Sequence, residues 1–178
     1  ESRGARSVYK RQVQRNNLLK QIRFQNNLIE TLEAWDIQLV KYGSEVIKYR
    51  EKFIEHLGEV CQKIHNKLTG GKEKILLEYD RDVGYDSYLT ELAKKRQKDL
   101  KYSTTTVGPH RDDISFIVNG IDIRKYGSQG QQRTAALSLK LAQIQLMREV
   151  MKESPILLLD DVLSELDSNR KTYLLELS

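Results

Sequence analysis

The sequence predicts a fold in two parts, a long helical region followed by a smaller α/β region. Within residues 8–68, apolar residues recur at helical intervals and proline is absent, as expected for long amphipathic helices. Further along the chain, Asn119–Gly120 separates two strand-like segments and favours a tight hairpin turn. Ile156–Leu159 is an aliphatic run, typical of a strand buried on both faces of a parallel sheet. These patterns indicate long helices combined with part of an α/β sheet.

The helical region is predicted to form two or more helices that pack as a hairpin or a short antiparallel arm, because an apolar helix face needs a partner to bury it. Gly43 and Gly58 are the only glycines within residues 8–68. Tyr42–Gly43–Ser44 is the predicted break between two helices, and Gly70–Gly71 is predicted to end the helical region.

The rest of the chain is predicted to alternate between strands and helices. The predicted strands are Lys74–Tyr79, the two hairpin strands Asp113–Val118 and Ile121–Tyr126, and Ile156–Leu159. The predicted helices are Asp86–Lys101, Gln129–Lys152 and a final helix that begins near Ser168.

Composition indicates a soluble globular protein, with 31% charged and 39% hydrophobic residues. No stretch approaches the roughly 18 consecutive apolar residues that a membrane span needs. Cys61 is the only cysteine, so no disulfide can form within the chain, and a reducing, cytoplasmic setting is expected. Cys61 with His56 or His65 supplies too few ligands for zinc, so we interpret it as a buried thiol on a helix face.

Basic residues are concentrated at the start of the chain, which carries a net charge of +5. Up to residue 29 the only acid is Glu1, and the basic residues are Arg3, Arg6, Lys10, Arg11, Arg15, Lys20 and Arg23. Such a basic stripe can bind a polyanion, because neutralising phosphates releases counterions. It can equally be a solvated helix face, and the sequence leaves both interpretations open.

An acidic pair follows the predicted buried strand in Pro155–Asp161. Nucleotide-binding sheets place an acid beside Mg²⁺ in this way, at the carboxyl end of a strand. Asp160 is therefore predicted to hold the metal, through a water, and Asp161 to orient or deprotonate an attacking water. The alternative is an ordinary core strand that ends in a polar turn.

Gly127–Arg133 (GSQGQQR) stands directly before the long predicted helix. A hydroxyl residue and a glycine at a helix N-terminus can bind an anion, because backbone N–H groups and the helix dipole both favour phosphate. Ser128 can donate to a phosphate oxygen, and Gly130 allows close approach of the backbone. The alternative is a polar turn in which Ser128 serves only as the N-cap. Ser164–Asp167 follows the acidic pair at the spacing of the D-loop in ABC-type ATPases.

A phosphate-binding loop of the form G-x-x-x-x-G-K-[ST] is missing. Gly71–Lys72 is the only Gly-Lys pair, Glu73 follows it, and Asn66 stands where the first glycine is required. In ABC-type enzymes, a signature loop such as Gly127–Arg133 contacts the nucleotide that the phosphate-binding loop of the opposite subunit holds. Because this chain has a signature loop but no phosphate-binding loop, it is expected to be a piece of a longer protein. His110–Asp112 resembles a kinase catalytic loop, but Ile117 replaces the required Asn.

Several segments together resemble the bacterial RecF family of DNA-repair proteins. These are Gly108–Asp113 (GPHRDD), the Gly127–Arg133 signature, LLLDDVLSELD from Leu157 to Asp167, RNNLLK from Arg15 to Lys20, and LEAWDIQLVKYG from Leu32 to Gly43. The resemblance implies part of an ABC/SMC-like P-loop ATPase head with an inserted, coiled-coil-like helical arm. It implies that residues 1–100 form the arm and that residues 101–178 form the C-terminal part of the head, with the signature, the Walker B segment and the D-loop.

The family resemblance also implies a function and site residues. It implies ATP and Mg²⁺ as cofactors, an ATP-dependent homodimer on double-stranded, gapped or junction DNA, work with RecO and RecR, RecA loading and the SOS response. Matched residue by residue, Ser128, Gln129, Gly130 and Gln131 form the signature in trans to ATP, Asp160 and Asp161 the acidic pair, and Ser164 and Asp167 the D-loop. It favours DNA contact for Lys10, Arg11, Arg15, Lys20 and Arg23.

Two departures from the wider ABC pattern bear on activity. Gln129 replaces the first of two glycines, and Asp161 stands where glutamate is usual. Because a shorter acid positions water less well, the intact protein is expected to be a slow ATPase. This chain alone is expected to be inactive, because it has no phosphate-binding loop. His110 and Arg111 can contact nucleotide, the dimer partner or DNA, or can brace the sheet. The alternative for the whole chain is a non-catalytic scaffold that binds a partner and keeps these motifs for folding.

Overall fold

The computed structural model describes residues 2–151 of the 178-residue chain. Its helices are α1 (Ser2–Ile22), α2 (Leu32–Leu68), α3 (Tyr88–Tyr102), α4 (Ile123–Tyr126) and α5 (Gln129–Met151), with single 3₁₀ segments at Asn26–Thr31 and Pro109–Arg111. Its strands are β1 (Ile75–Asp80), β2 (Asp113–Val118) and β3 (Ile121–Asp122). None of the helices within these residues is long and apolar enough to cross a membrane.

The chain divides into two contact units that alternate along the sequence. The first contains the described residues up to Phe53 together with Tyr79–Ile114, and the second contains Ile54–Glu78 together with the described residues from Ser115 onward. Helix α2 and strands β1 and β2 therefore each have residues in both units. The division after residue 100 into an arm and a head is based on family resemblance rather than on contacts, and it stays a prediction.

The core of the first unit is formed by α1, the first part of α2 and α3. Its main buried cluster comprises Val8, Leu39, Val46, Ile47, Val83, Tyr88, Leu92 and Val107. A second cluster comprises Leu18, Leu19, Ile22 and Leu32, with Trp35 packed against it. The predicted packing of two long helices against each other is confirmed, and α3 joins them as a third member.

The predicted helix break at Tyr42–Gly43–Ser44 is wrong, because α2 runs without interruption through these residues. The break between α1 and α2 lies instead around the 3₁₀ segment Asn26–Thr31. Gly43 has a packing role: a Cβ built there would lie 2.5 Å from Cε1 of the Tyr88 ring. The glycine leaves room for an aromatic ring beside the helix.

Replacing Gly43 with alanine is expected to lower the free energy of unfolding by about 1–3 kcal/mol, since forcing a methyl group into a filled core costs more than alanine's better helix propensity returns. Gly58 provides a matched control on the same helix, because its nearest neighbour would be Leu77 Cβ at 3.7 Å, an ordinary contact. Gly58→Ala should leave stability unchanged or raise it. Chemical denaturation of both variants measures the difference, and equal effects would contradict the packing role of Gly43.

The second unit contains most of the three-stranded sheet, whose order is β1–β2–β3. Strands β2 and β3 pair antiparallel, with Val118 opposite Ile121. The turn between them has positive φ angles at Asn119 (49°) and Gly120 (83°), as a type I′ turn requires. The predicted hairpin at Asn119–Gly120 is confirmed.

Strand β3 is shorter than predicted. The sequence predicts a strand over Ile121–Tyr126, but the strand ends at Asp122 and the next four residues form α4. The physical reason is a cap: the Asp122 carboxylate accepts a hydrogen bond from Arg124 N at 3.0 Å, which starts a helical turn.

Other elements lie where the sequence predicts them. Strand β1 and helices α3 and α5 agree with their predicted positions to within about two residues at each described end, the usual uncertainty of helix boundaries. Cys61 is fully buried, and burial raises the pKa of its thiol to about 12, which confirms the buried-thiol interpretation. The predicted strand at Ile156–Leu159 and the final helix near Ser168 lie outside the described residues.

Candidate functional site

The signature loop joins α4 to α5 and forms a reciprocal hydrogen-bonded cap. Gln131 N donates to Ser128 Oγ at 3.2 Å, and Ser128 N donates to Gln131 Oε1 at 3.1 Å. This is a capping box, in which the N-cap hydroxyl and the side chain three residues later each satisfy an N–H of the other. The hydroxyl hydrogen of Ser128 is not used in the box, so it can be donated to an incoming acceptor.

The loop is open to solvent and borders a cavity. Ser128, Gln129 and Gly130 are exposed, and a Cβ built on Gly130 would approach nothing closer than Ser128 Oγ at 3.9 Å. The cavity has a volume of about 490 Å³ and is lined by Lys67, Leu68, Thr69, Gly70, Lys72, Glu73, Ser128, Gly130, Gln131 and Thr134. Two lysines, one carboxylate (Glu73) and a helix N-terminus therefore line one cavity, and the positive balance favours an anionic group.

A buried polar network lies behind the loop. Gln131 Nε2 donates to Glu73 Oε1 at 3.0 Å, and the other oxygen of Glu73 lies 3.2 Å from His65 Nε2. His65 Nδ1 lies 2.9 Å from Ser138 Oγ in α5, and both of these residues are fully buried. Sequence reasoning missed Glu73 and His65. The available clue was a single histidine on the apolar face of α2, four residues after Cys61.

The GPHRDD segment is anchored by Asp112, whose carboxylate is almost completely buried. One oxygen accepts hydrogen bonds from Tyr79 Oη and from Arg50 Nη1 at 3.1 Å, and the other accepts from Asp82 N at 3.0 Å. The pKa of Tyr79 is raised, mainly by burial and also by the hydrogen bond to Asp112. Arg50 also donates to Pro109 O at 2.5 Å. Asp112 therefore holds this segment in place.

His110 and Arg111 lie at the surface of the same segment. His110 Nε2 is 3.1 Å from Thr105 O, so that nitrogen carries the proton and donates. Arg111 Nε is 3.6 Å from Asp82 Oδ1. Both side chains are exposed, and their role stays a prediction.

The predicted basic stripe requires one correction, at Arg15. Its side chain is fully buried, with Nε 2.6 Å from Asp36 Oδ1 and Nη1 2.7 Å from Asp99 Oδ2. A guanidinium held by two buried carboxylates cannot reach a phosphate, so Arg15 belongs to the core rather than to a DNA-binding surface.

The other members of the stripe are more accessible. Lys10, Lys20 and Arg23 are exposed. Arg11 is half-buried and lies over the Tyr42 ring, with its guanidinium carbon 4.4 Å from the ring centroid. DNA contact by these four residues stays a prediction.

The remaining predicted site residues lie outside the described part of the chain. They are Asp160, Asp161, Ser164 and Asp167. Among residues 2–151, no group of three or more His, Cys, Asp or Glu side chains is arranged to hold a metal ion.

Comparison with known proteins identifies the family, although no protein-family model matches the chain. The DNA replication and repair protein RecF of Agathobacter rectalis is 56% identical over 163 residues, which cover 92% of this chain and 45% of that protein. RecF of Lachnospira eligens is also 56% identical, over 91% of this chain and 45% of its own length. RecF of Acetivibrio thermocellus is 43% identical over 173 residues, which cover 92% of this chain and 47% of that protein. This chain belongs to the RecF family.

Solved RecF structures show the same fold. The structure of the recombination mediator protein RecF-ATP in the RecFOR pathway superposes with a TM-score of 0.89 at 39% identity, over 97% of this chain and 48% of that one. The RecF-ATPrS structure of the same pathway superposes with a TM-score of 0.85 at 38% identity, over 97% of this chain and 49% of that one. The predicted fold class, part of an ABC/SMC-like ATPase head with a helical arm, is confirmed. The chain spans about half the length of the RecF proteins it matches.

Proposed function

We propose that this RecF-family chain provides the signature-loop part of a DNA-repair ATPase that dimerises on DNA when ATP is bound. The observation that carries the proposal is the signature loop itself. Ser128 presents a free hydroxyl hydrogen at the N-terminus of α5, beside a cavity of about 490 Å³ that Lys67 and Lys72 also line. A γ-phosphate has the charge and the acceptor oxygens that such a site favours.

The ATP that meets this loop is proposed to be held by a second copy of the protein. Related solved structures are of RecF with ATP, which supports ATP as the nucleotide. With nucleotide held between two copies, the Ser128 hydroxyl and the N–H groups of Gln129 and Gly130 would stabilise the charge of the γ-phosphate. ATP thereby becomes part of the dimer interface, and hydrolysis releases the two copies.

The catalytic residues are proposed from the sequence pattern. Asp160 would hold Mg²⁺ through water, and the ion would supply positive charge to the phosphates. Asp161 would orient the attacking water and accept its proton. Ser164 and Asp167 would form the D-loop at the interface between the two copies.

DNA and partner proteins complete the proposal. Lys10 and Lys20 on α1, with Arg23 directly after it, supply positive charge that can neutralise phosphates of double-stranded, gapped or junction DNA, and Arg11 adds charge on α1. The proposed partners are RecR and RecO, with RecA loading at gaps as the outcome. The RecFOR pathway of the related structure supports this assignment.

Light scattering on the full-length protein, with and without Mg-ATP, tests the proposal through the Ser128→Arg variant. We expect the wild type to become a dimer with Mg-ATP and the variant to remain a monomer, because the arginine side chain fills the position of the γ-phosphate. Thr104→Arg is the control, since Thr104 is an exposed hydroxyl residue far from the loop in sequence. If the solution mass of the wild type is the same with and without Mg-ATP, a non-catalytic scaffold is favoured instead.

A further inference from the structure

The side chain of Gln131 has two partners that together fix its orientation. Its oxygen accepts from Ser128 N within the capping box, and its nitrogen donates to Glu73 at 3.0 Å. An ionised carboxylate only accepts hydrogen bonds, so Glu73 forces the NH₂ group of Gln131 toward itself. The carbonyl oxygen of Gln131 must then face Ser128. Without Glu73, the Gln131 amide could rotate and the box could open.

Glu73 is itself held by His65 rather than by solvent. Its side chain is 22% exposed, and its second oxygen lies 3.2 Å from the fully buried Nε2 of His65. His65 Nε2 faces a carboxylate, which only accepts hydrogen bonds, so this nitrogen donates to Glu73. Ser138 Oγ lies 2.9 Å from His65 Nδ1 and 2.7 Å from Thr134 O, and it links the other side of the ring to α5.

His65 thus holds α5 at two places. It contacts Ser138 directly, and it reaches Gln131 in the first turn of α5 through Glu73. Thr134 adds an internal bond, from its hydroxyl to Gly130 O at 2.8 Å. Buried polar networks of this kind contribute less to stability than apolar packing would, but they specify one arrangement of the groups they connect. Here the group at the end of the network is the signature loop.

We propose that Glu73 and His65 are positioning residues for the signature loop, which orient Gln131 and through it the Ser128 hydroxyl that meets the nucleotide. The expected gain in nucleotide affinity rests on the proposed function, because only a loop that binds phosphate binds more tightly when it is held in one conformation. Pre-organisation of this type lowers the ordering cost of binding.

The variant Glu73→Ala tests the network in the full-length protein. We expect the ATP concentration for half-maximal dimerisation to rise about tenfold, the effect of losing one hydrogen bond to a charged group. Glu73→Gln should restore most of the affinity, because its amide oxygen can still accept from Gln131, and its NH₂ group can donate to His65 Nε2 once the ring proton is on Nδ1, beside Ser138 Oγ. Glu78→Ala is the matched control, since Glu78 is exposed on the neighbouring strand β1. The Glu73→Ala/Gln131→Ala double variant should resemble each single variant, as for residues that act as one unit.

Amide hydrogen exchange gives a second measurement that does not depend on dimerisation. The N–H groups of Ser128 and Gln131 are both protected by the capping box, so Glu73→Ala should speed their exchange about tenfold. Glu78→Ala should not change it. Unchanged exchange in Glu73→Ala overturns the positioning role. If Ser128→Arg abolishes the dimer but Glu73→Ala needs no more ATP for dimerisation than the wild type, the positioning role is also overturned. If exchange speeds up in Glu73→Ala but the wild type does not dimerise with ATP, the positioning role stands and the proposed function fails.

Discussion

Replacing Arg15 with methionine is expected to lower the free energy of unfolding by about 3–5 kcal/mol, the usual result of removing one partner from a buried ion pair. The Arg15 guanidinium is the centre of a buried cluster that joins three elements: α1, α2 through Asp36, and α3 through Asp99. It also donates to Thr105 Oγ1 at 2.9 Å. Methionine fills a similar volume, but it leaves two buried carboxylates without their shared cation.

The cluster offers a check on this explanation. Asp36 keeps a second cation in the variant, since Arg96 Nη2 lies 3.1 Å from its other oxygen. Asp99 keeps only neutral donors, the N–H and hydroxyl groups of Thr106 at 2.9 and 2.6 Å. In the Arg15→Met background, Asp99→Asn should therefore recover more stability than Asp36→Asn, because Asp99 is the carboxylate left without a cation.

Denaturation followed by the fluorescence of Trp35, which packs against the same unit, measures these effects. Lys20→Met is the control, because Lys20 is an exposed basic residue on the same helix as Arg15. Equal stability of Arg15→Met and Lys20→Met would contradict a core role for Arg15 and return it to the basic surface stripe.

Arg15 also shows where prediction from sequence stops. Periodicity placed it correctly on a helix with other basic residues, but its partners Asp36 and Asp99 are 21 and 84 residues away along the chain. Nothing in the local sequence distinguishes an arginine that faces solvent from one that is buried with two acids. Gly43 was misinterpreted for the same reason. A side chain is excluded there by the ring of Tyr88, which is distant in sequence.

Features with local causes were predicted well. The Asn119–Gly120 hairpin follows from the two residues in the turn, and α5 follows from its many Ala, Leu and Gln residues, which favour a helix, and from the polar loop before it. Most of the signature site is local too, because its capping box joins Ser128 and Gln131 within one helical turn. Glu73 is 58 residues from Gln131, so only the folded structure places it at the site.

Gly108→Ala is expected to cost about 3 kcal/mol or more in stability, because two penalties combine at this glycine. Its backbone has φ 135° and ψ −179°, a conformation almost restricted to glycine. A Cβ built there would also lie 2.2 Å from Tyr88 Oη and 2.9 Å from Tyr88 Cζ. The Gly108 N–H donates to Asp82 Oδ2 at 2.9 Å, which limits how far the backbone can move away.

Two further variants separate these penalties. Gly120 has φ 83° but no atom within 4 Å of an added Cβ, so Gly120→Ala should show backbone strain alone, about 1–2 kcal/mol. Tyr88 Oη is buried and has no hydrogen-bond partner among the described residues, so Tyr88→Phe should be nearly neutral. In the Tyr88→Phe background Gly108→Ala should cost less than in the wild type, because the nearest clashing atom is gone. If its cost is unchanged there, the Tyr88 hydroxyl does not contribute to it, and the cost comes from backbone strain together with the approach of ring carbon Cζ.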